Sequence, residues 1–467
     1  MIPQNSRKFP IRADRLNETG HINMRNPFVI MMLLAVTLAA SQLRAHASGI
    51  AEDGFVPLFN GRDLSGWVPV NVAPGTFTVK DGMIASTGAP TGIMRTEKQY
   101  ENFIVELDWM HLKPKGNAGL FVWGAPMTAP GTPFARGIEV QILDDAYVEG
   151  DARKRGIYTG HGDIFSIHGA SMRPDRPHPE GWERCLPSEN RAKPAGEWNH
   201  YRVEANNGVI KLAVNGKTVS GGYACKPRKG YLCLESEGSP ALFKNIRIKE
   251  LPSTNPKPDE VQPEADAFKS IFSGVDLDGW KAAPGWSAQD WVLNHDGTGD
   301  KHLWTEKSYG DFEMIVDWRL TRKPVKKRWP IILPSGDEAT NADGSVKETE
   351  VDDAGDSGLF LRGSEKAHVN IFCWPVGSGE VWPYRTDPKM PAEVRAACTP
   401  RKRADKPPGQ WNRFHITMKG DRLTVVLNDE KVIDNARLPG VPASGPIGLQ
   451  NEDGPIQFSN LFIKEAK

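Results

Sequence analysis

Along most of this chain apolar and polar residues alternate with a period of two. Phe103, Val105, Leu107 and Trp109 interleave with Ile104, Glu106, Asp108 and Met110, which predicts a half-buried strand. Val209 to Val214 reads as a strand, Asn215-Gly216 as a two-residue turn, and Lys217 onward as the next strand. No apolar stripe of period 3.6 runs long enough for a substantial helix. The pattern predicts an all-β chain of short strands, about a dozen per ~200 residues, as a two-sheet jelly roll requires.

The strand pattern occurs twice. FVPLFNGRDLSGW (Phe55–Trp67) returns as FKSIFSGVDLDGW (Phe268–Trp280), and TEKQYENFIVELDW (Thr96–Trp109) as TEKSYGDFEMIVDW (Thr305–Trp318). NAGLFVWG matches DSGLFLRG, PAGEWNHYRV matches PPGQWNRFHI, and FKNIRIKE matches FSNLFIKE, all in the same order. The boundaries follow: an N-terminal extension with signal peptide over 1–47, a first copy over 48–251, a linker over 252–265 and a second copy over 266–467. The linker holds four prolines and little apolar surface, so it reads as semi-extended. With a complete motif set in each half, fragments 48–252 and 264–467 are expected to fold alone. The copies differ in their insertions. The first is longer from about Thr159 to Arg191, and the second gains about 30 residues near Arg322 to Asp352.

Phe28 to Ala40 is apolar but shorter than the ~20 residues of a membrane span. Arg25 precedes it and Ala45-His46-Ala47 follows, so the segment reads as a signal peptide within about 24–47, giving a periplasmic or secreted protein without a membrane span after processing. Lys plus Arg and Asp plus Glu both number 58, a balance that argues against nucleic acid or an anionic membrane as the main partner. Fourteen tryptophans suit a protein that handles sugar rings. Of the five cysteines, Cys225 with Cys233 and Cys373 with Cys398 are candidate bridges, with Cys185 left over; buried thiols are the equal alternative.

LFNGRDLSGW, the TEK-x-Y…F strand, NAGLF, EVQILDD, the GEWN strand and FKNIRIKE together resemble the 3-keto-disaccharide hydrolase domain family, once per copy. The resemblance implies a concanavalin-A-like jelly-roll β-sandwich and cleavage of sugars already oxidised at carbon 3 by a separate oxidoreductase. The chemistry is coherent. A ketone at carbon 3 acidifies the carbon-2 hydrogen, a base removes it, and the enolate expels the group on carbon 1 before water adds. The competing readings are a tandem lectin-like protein without turnover and a structural envelope protein.

Glu139-Val-Gln141 is the leading site candidate, because residues two apart share a strand face. Glu139 is expected to be the base, and a bulge is expected to turn Asp144 to the same side. His161 and His168 are candidate catalytic groups from the following loop, and His161 with Asp163 or His168 is a candidate pair for a divalent metal. Asn117, Trp123 and Glu235 are candidate substrate contacts, with Glu237 on the face of Glu235. In the second copy His368 aligns with Glu139 and Asn370 with Gln141, while Trp382 is a candidate stacking residue. The second copy is either an active site of different preference or a binding module. Trp67, Trp109 and Trp198 recur as Trp280, Trp318 and Trp411, which marks them as packing residues.

Overall fold

A computed structural model describes residues 53–150, 162–264, 267–299 and 301–466. The signal-peptide segment and His161 lie outside the described residues. Each copy is a pair of antiparallel sheets. In the first, one sheet runs in the order Ser171–Pro174, Lys217–Lys226, Val209–Val214, Asn199–Asn206, Phe103–His111, Ala241–Glu250, Met83–Ser86, Phe77–Lys80. Facing it is a seven-stranded sheet ordered Arg184–Cys185, Ile164–Ile167, Gly137–Leu143, Asn117–Gly124, Tyr231–Ser236, Gly92–Thr96, Trp67–Pro69. The expected alternation holds in Phe103–His111, where Phe103, Val105, Leu107 and Trp109 are buried. Burying such a side chain contributes about 1.5–3 kcal/mol.

The second copy repeats this plan. Its counterpart of the site-bearing sheet has five strands, ordered Trp280–Lys281, Leu303–Tyr309, Gly445–Leu449, Asp356–Leu361, Ser364–Phe372. The two strands it lacks are Ile164–Ile167 and Arg184–Cys185, both from the first copy's insertion. The second copy's insertion forms its own hairpin, Val325–Pro330 against Glu348–Asp353. Among the described residues the helices are short, as in Trp382–Arg385 and Ala392–Ala397, and none is long and apolar enough to cross a membrane. All five cysteines are free and buried, so neither candidate bridge forms; Cys225 and Cys233 lie on different sheets.

Residues 57–467 form one unit. The linker lies along the first copy: Asn102 Nδ2 donates to Pro252 O at 2.8 Å, Arg228 pairs with Glu260 at 3.0 Å, and Gln262 Nε2 donates to Trp123 O at 2.9 Å. Ile315 and Phe462 of the second copy join Val70, Ile93, Phe121, Tyr231 and Cys233 of the first in one apolar cluster. Beside it, Asp317 is fully buried and holds Arg413 through two hydrogen bonds of 2.6 and 2.8 Å. The same carboxylate accepts from Gly131 N at 2.8 Å, and Asn460 Nδ2 donates to Ala129 O and Thr132 O at 3.2 and 3.0 Å. The 129–132 loop of the first copy is thereby clamped by the second. The matching trio of the first copy, Asp108, His200 and Asn245, makes its own hydrogen bonds with His200 half-buried and Asn245 exposed.

Candidate active site

The site grows from a register. Gly119 lies opposite Gln141, and Phe121 opposite Glu139; on its other side Leu120 pairs with Leu234. Glu139, Gln141, Asn117, Glu235 and Glu237 therefore project from three adjacent strands on one face. Glycine at 119 lets two carboxyls approach across the strand between them. A Cβ there would meet Glu139 Oε1 at 2.7 Å and Glu235 Oε2 at 2.9 Å. They line a cleft of about 630 Å³ together with Phe134, Phe165, His168, Trp182, Arg184 and, from the second copy, Trp291.

Every residue of Gly137–Leu143 is buried, not every second one, because the insertion and the second copy cover the outer face. That burial sets the electrostatics. Glu139 is pushed well above the ordinary carboxyl range, first by loss of water and then by the Glu237 and Asp163 charges, against the pull of Arg184. Glu235 rises for the same first reason, with the charges of Glu237 and Glu139 behind it. Burial also raises Glu237, to about 7, with Asp290 of the second copy adding to the rise while hydrogen bonds from Glu235 and Asn117 oppose it. Asn117 is held between partners: it accepts from Gln141 Nε2 at 2.8 Å and donates to Glu237. Tyr201 OH donates to Gln141 O at 2.7 Å and fixes that strand from behind.

Three sequence expectations change. Trp123 is a core residue. Parity would put it on the cleft face, but its left-handed backbone (φ 56°) turns it away, to pack on Phe103 and donate to Glu101 O at 2.7 Å. Asp144 does not turn into the cleft; it caps the chain reversal, accepting from Lys115, Ala146 and Ala195 N at 2.9, 3.1 and 2.9 Å. Asp163 is no free metal ligand, since it is fully buried in an ion pair with Arg184 at 2.6 Å. Among the described residues no three His, Cys, Asp or Glu side chains are grouped to hold a metal ion. His168 lines the cleft, stacked on Phe134 at 6.1 Å, and burial lowers its pKa, so it is neutral near pH 7.

Four aromatic wall residues, Phe134, Phe165, Trp182 and Trp291, escaped the sequence reading. Phe165 and Trp182 come from the insertion, whose length was its only signal. Trp291 had a better one. The hairpin turn that is Asp81-Gly82 in the first copy is Asp290-Trp291 in the second.

In the second copy the registers match, with Phe360 opposite His368 and Gly358 opposite Asn370, but the chemistry does not. Gln450 stands where Glu235 does, leaving Glu452 alone of the three carboxyls. His368 is buried, which lowers its pKa to about 4, and it lies against Phe360 at 4.9 Å. Phe360 is flanked by His302 at 4.8 Å and Trp304 at 5.6 Å. Trp382 is 44% exposed on its short helix, outside the first copy's cleft.

A family model described as 3-keto-alpha-glucoside-1,2-lyase-like domain matches residues 54–249 and again 267–464. The chain belongs to that family, twice over. It is 21% identical over 260 residues to a 3-keto-disaccharide hydrolase from Bacteroides thetaiotaomicron, spanning 46% of this chain and 84% of the relative. Among solved structures, a protein described as a candidate glycosyl hydrolase from Parabacteroides distasonis is 25% identical, with TM-score 0.33, over 43% of this chain and 95% of its own. Carbohydrate-binding module CBM66 from Bacillus subtilis is 13% identical, with TM-score 0.29, over 41% of this chain and 99% of its own. The two copies of that domain are unequal here.

Proposed function

We propose that the first copy cleaves the glycosidic bond of 3-keto-glycosides by removing the carbon-2 proton. The observation that carries this is a trio of carboxyls, the buried Glu139 and Glu235 with the half-buried Glu237. Its burial and mutual charge raise Glu139 and Glu235 well above the ordinary carboxyl range and Glu237 to about 7. Sequence reasoning gave Glu139 the base role. Its raised pKa suits it better to donate, so we assign the base to Glu237, held as an acceptor by Asn117. Glu139 and Glu235 then donate to the ketone oxygen and the leaving oxygen. The carbon-2–hydrogen bond breaks, the carbon-1–carbon-2 double bond forms, and the carbon-1–oxygen bond breaks with its electron pair on a leaving oxygen that takes a proton. Water then adds at carbon 1. The substrate has to come from an enzyme that oxidises carbon 3. The N-terminal series of Arg25, Phe28–Ala40 and Ala45-His46-Ala47 supports a place outside the cytoplasm, with a mature N-terminus near Ser48.

The test compares 3-keto disaccharides with their unoxidised parents. Wild type should turn over the former and leave the latter intact, and deuterium at carbon 2 should slow the reaction. Activity should rise with pH through about 7, as Glu237 loses its proton. Glu237→Gln should lower kcat by ~10²-fold or more and abolish that rise. Glu139→Gln should lower kcat and keep it. One observation favours a second reading: Glu139 and Glu235 flank the Gly119 Cβ position and so lie within about 6 Å, near the ~5–5.5 Å of retaining glycosidase pairs. Cleavage of unoxidised disaccharides with retention would establish that one.

A further inference from the structure

At the edge of the second copy's eight-stranded sheet lies a tight hairpin, Trp286–Gln289 to Val292–His295, whose two turn residues are Asp290 and Trp291. Both are left-handed, with φ of 32° and 62°. Such a turn favours Asn or Asp followed by Gly. The first copy obeys this at the same place, with Asp81 and Gly82 at φ of 50° and 72°. A bulky aromatic there is strained, and strain of this kind persists where the surroundings or a function demand it. Here the turn is pinned in place. Asp290 accepts from Thr91 N at 2.8 Å and Thr91 Oγ1 at 3.2 Å, across the junction and next to strand Gly92–Thr96. Trp291 N donates to Gly274 O at 2.7 Å, and Ser459 Oγ donates to Trp291 O at 3.1 Å. The indole lies 6.1 Å from that of Trp411, half-buried, and is part of the wall of the first copy's cleft.

We propose that Trp291 is a substrate-contact residue of the first copy's site, the stacking platform for the sugar ring that leaves carbon 1. The reacting ring belongs beside the buried Glu139, Gln141 and Glu235, which are 5%, 2% and 1% exposed. The next ring then reaches the rim, where Trp291 and the 38%-exposed Trp182 supply flat apolar faces. The second copy thus works as part of the first copy's active site through one residue set at a strained turn. This assignment rests on the carbohydrate reading of the cleft, though not on the ketone chemistry.

Two measurements separate the two ideas. Calorimetry with unreactive probes, a disaccharide and its constituent monosaccharide, tests the platform; turnover of 3-keto disaccharides by wild type tests the chemistry. Trp291→Ala and Trp291→Gly should weaken disaccharide binding about tenfold and leave monosaccharide binding unchanged, with Trp291→Phe recovering most of the loss. In turnover the same variants should raise KM for a 3-keto disaccharide while changing kcat little. A 3-keto methyl glycoside, with no second ring, should be unaffected. Trp291→Gly restores the first copy's Asp-Gly turn, so its Tm should not fall below wild type. The proposal is overturned if the wild type binds neither sugar, if the variants bind the disaccharide as wild type does, or if both probes weaken alike. Absent turnover with intact, Trp291-dependent disaccharide binding would overturn the chemistry alone.

Discussion

Glu235 carries the sharpest single-residue consequence. It is 1% exposed and lies between two other carboxyls, so the folded state holds its proton well past the pH at which an unfolded glutamate loses it. Between those two pH values the native state binds more protons than the unfolded one, so its stability falls as pH rises. Glu235→Gln removes that penalty. Its Tm should match wild type at pH 4 and exceed it at pH 8, by roughly 1 °C for each 1 kcal/mol relieved in a unit of this length, as thermal melts at the two pH values would show. No gain at pH 8 would mean that the site holds its charge at little cost. The residue scale is also where the sequence was most readable. Strand parity put Glu139 with Gln141 and Glu235 with Glu237, and the structure brings these four together with Asn117 in one cleft. Trp123 was misplaced because one left-handed residue defeats parity, and alternation carries no mark of it.

At the scale of elements, the site depends on strand Asn117–Gly124 presenting no side chain at 119. Any Cβ there lies under 3 Å from both carboxyls, so the ends of both side chains have to turn into the cleft to admit it. Gly119→Ala should lower turnover by pushing the pair apart, with a stability cost of about 1 kcal/mol or less because the carboxyl ends can turn into the cleft. Turnover unchanged from wild type would show that the spacing of the two carboxyls does not matter. The first copy's insertion makes the other wall. Its Arg184 pairs with Asp163 and lies over Phe165 at 4.0 Å. Arg184→Ala should cost about 3–5 kcal/mol in chemical denaturation, because it leaves Asp163 buried and unpaired. The sequence marks this insertion by its length alone, while the short strands within it follow from pairing with Gly137–Leu143 and Lys217–Lys226.

For the whole molecule, the junction turns two similar sandwiches into one site. Isolated residues 48–252 would expose Ile93, Phe121 and Tyr231 and lose both the clamp on the 129–132 loop and Trp291. That fragment should melt below the full chain and bind disaccharide much more weakly; equal melting and binding would show the junction to be dispensable. What the sequence determined by itself is whatever repeats or alternates locally. Strand parity set the faces, turn residues set the hairpins, and five ordered matches revealed the duplication and the family. Only the tertiary structure decided which of the two equivalent sheets became a cleft, which carboxyls lost their water, and that a turn 152 residues beyond Glu139 closes the wall beside it. Burial and proximity across copies are sums over residues far apart in the chain, and no local pattern of apolar and polar positions encodes them.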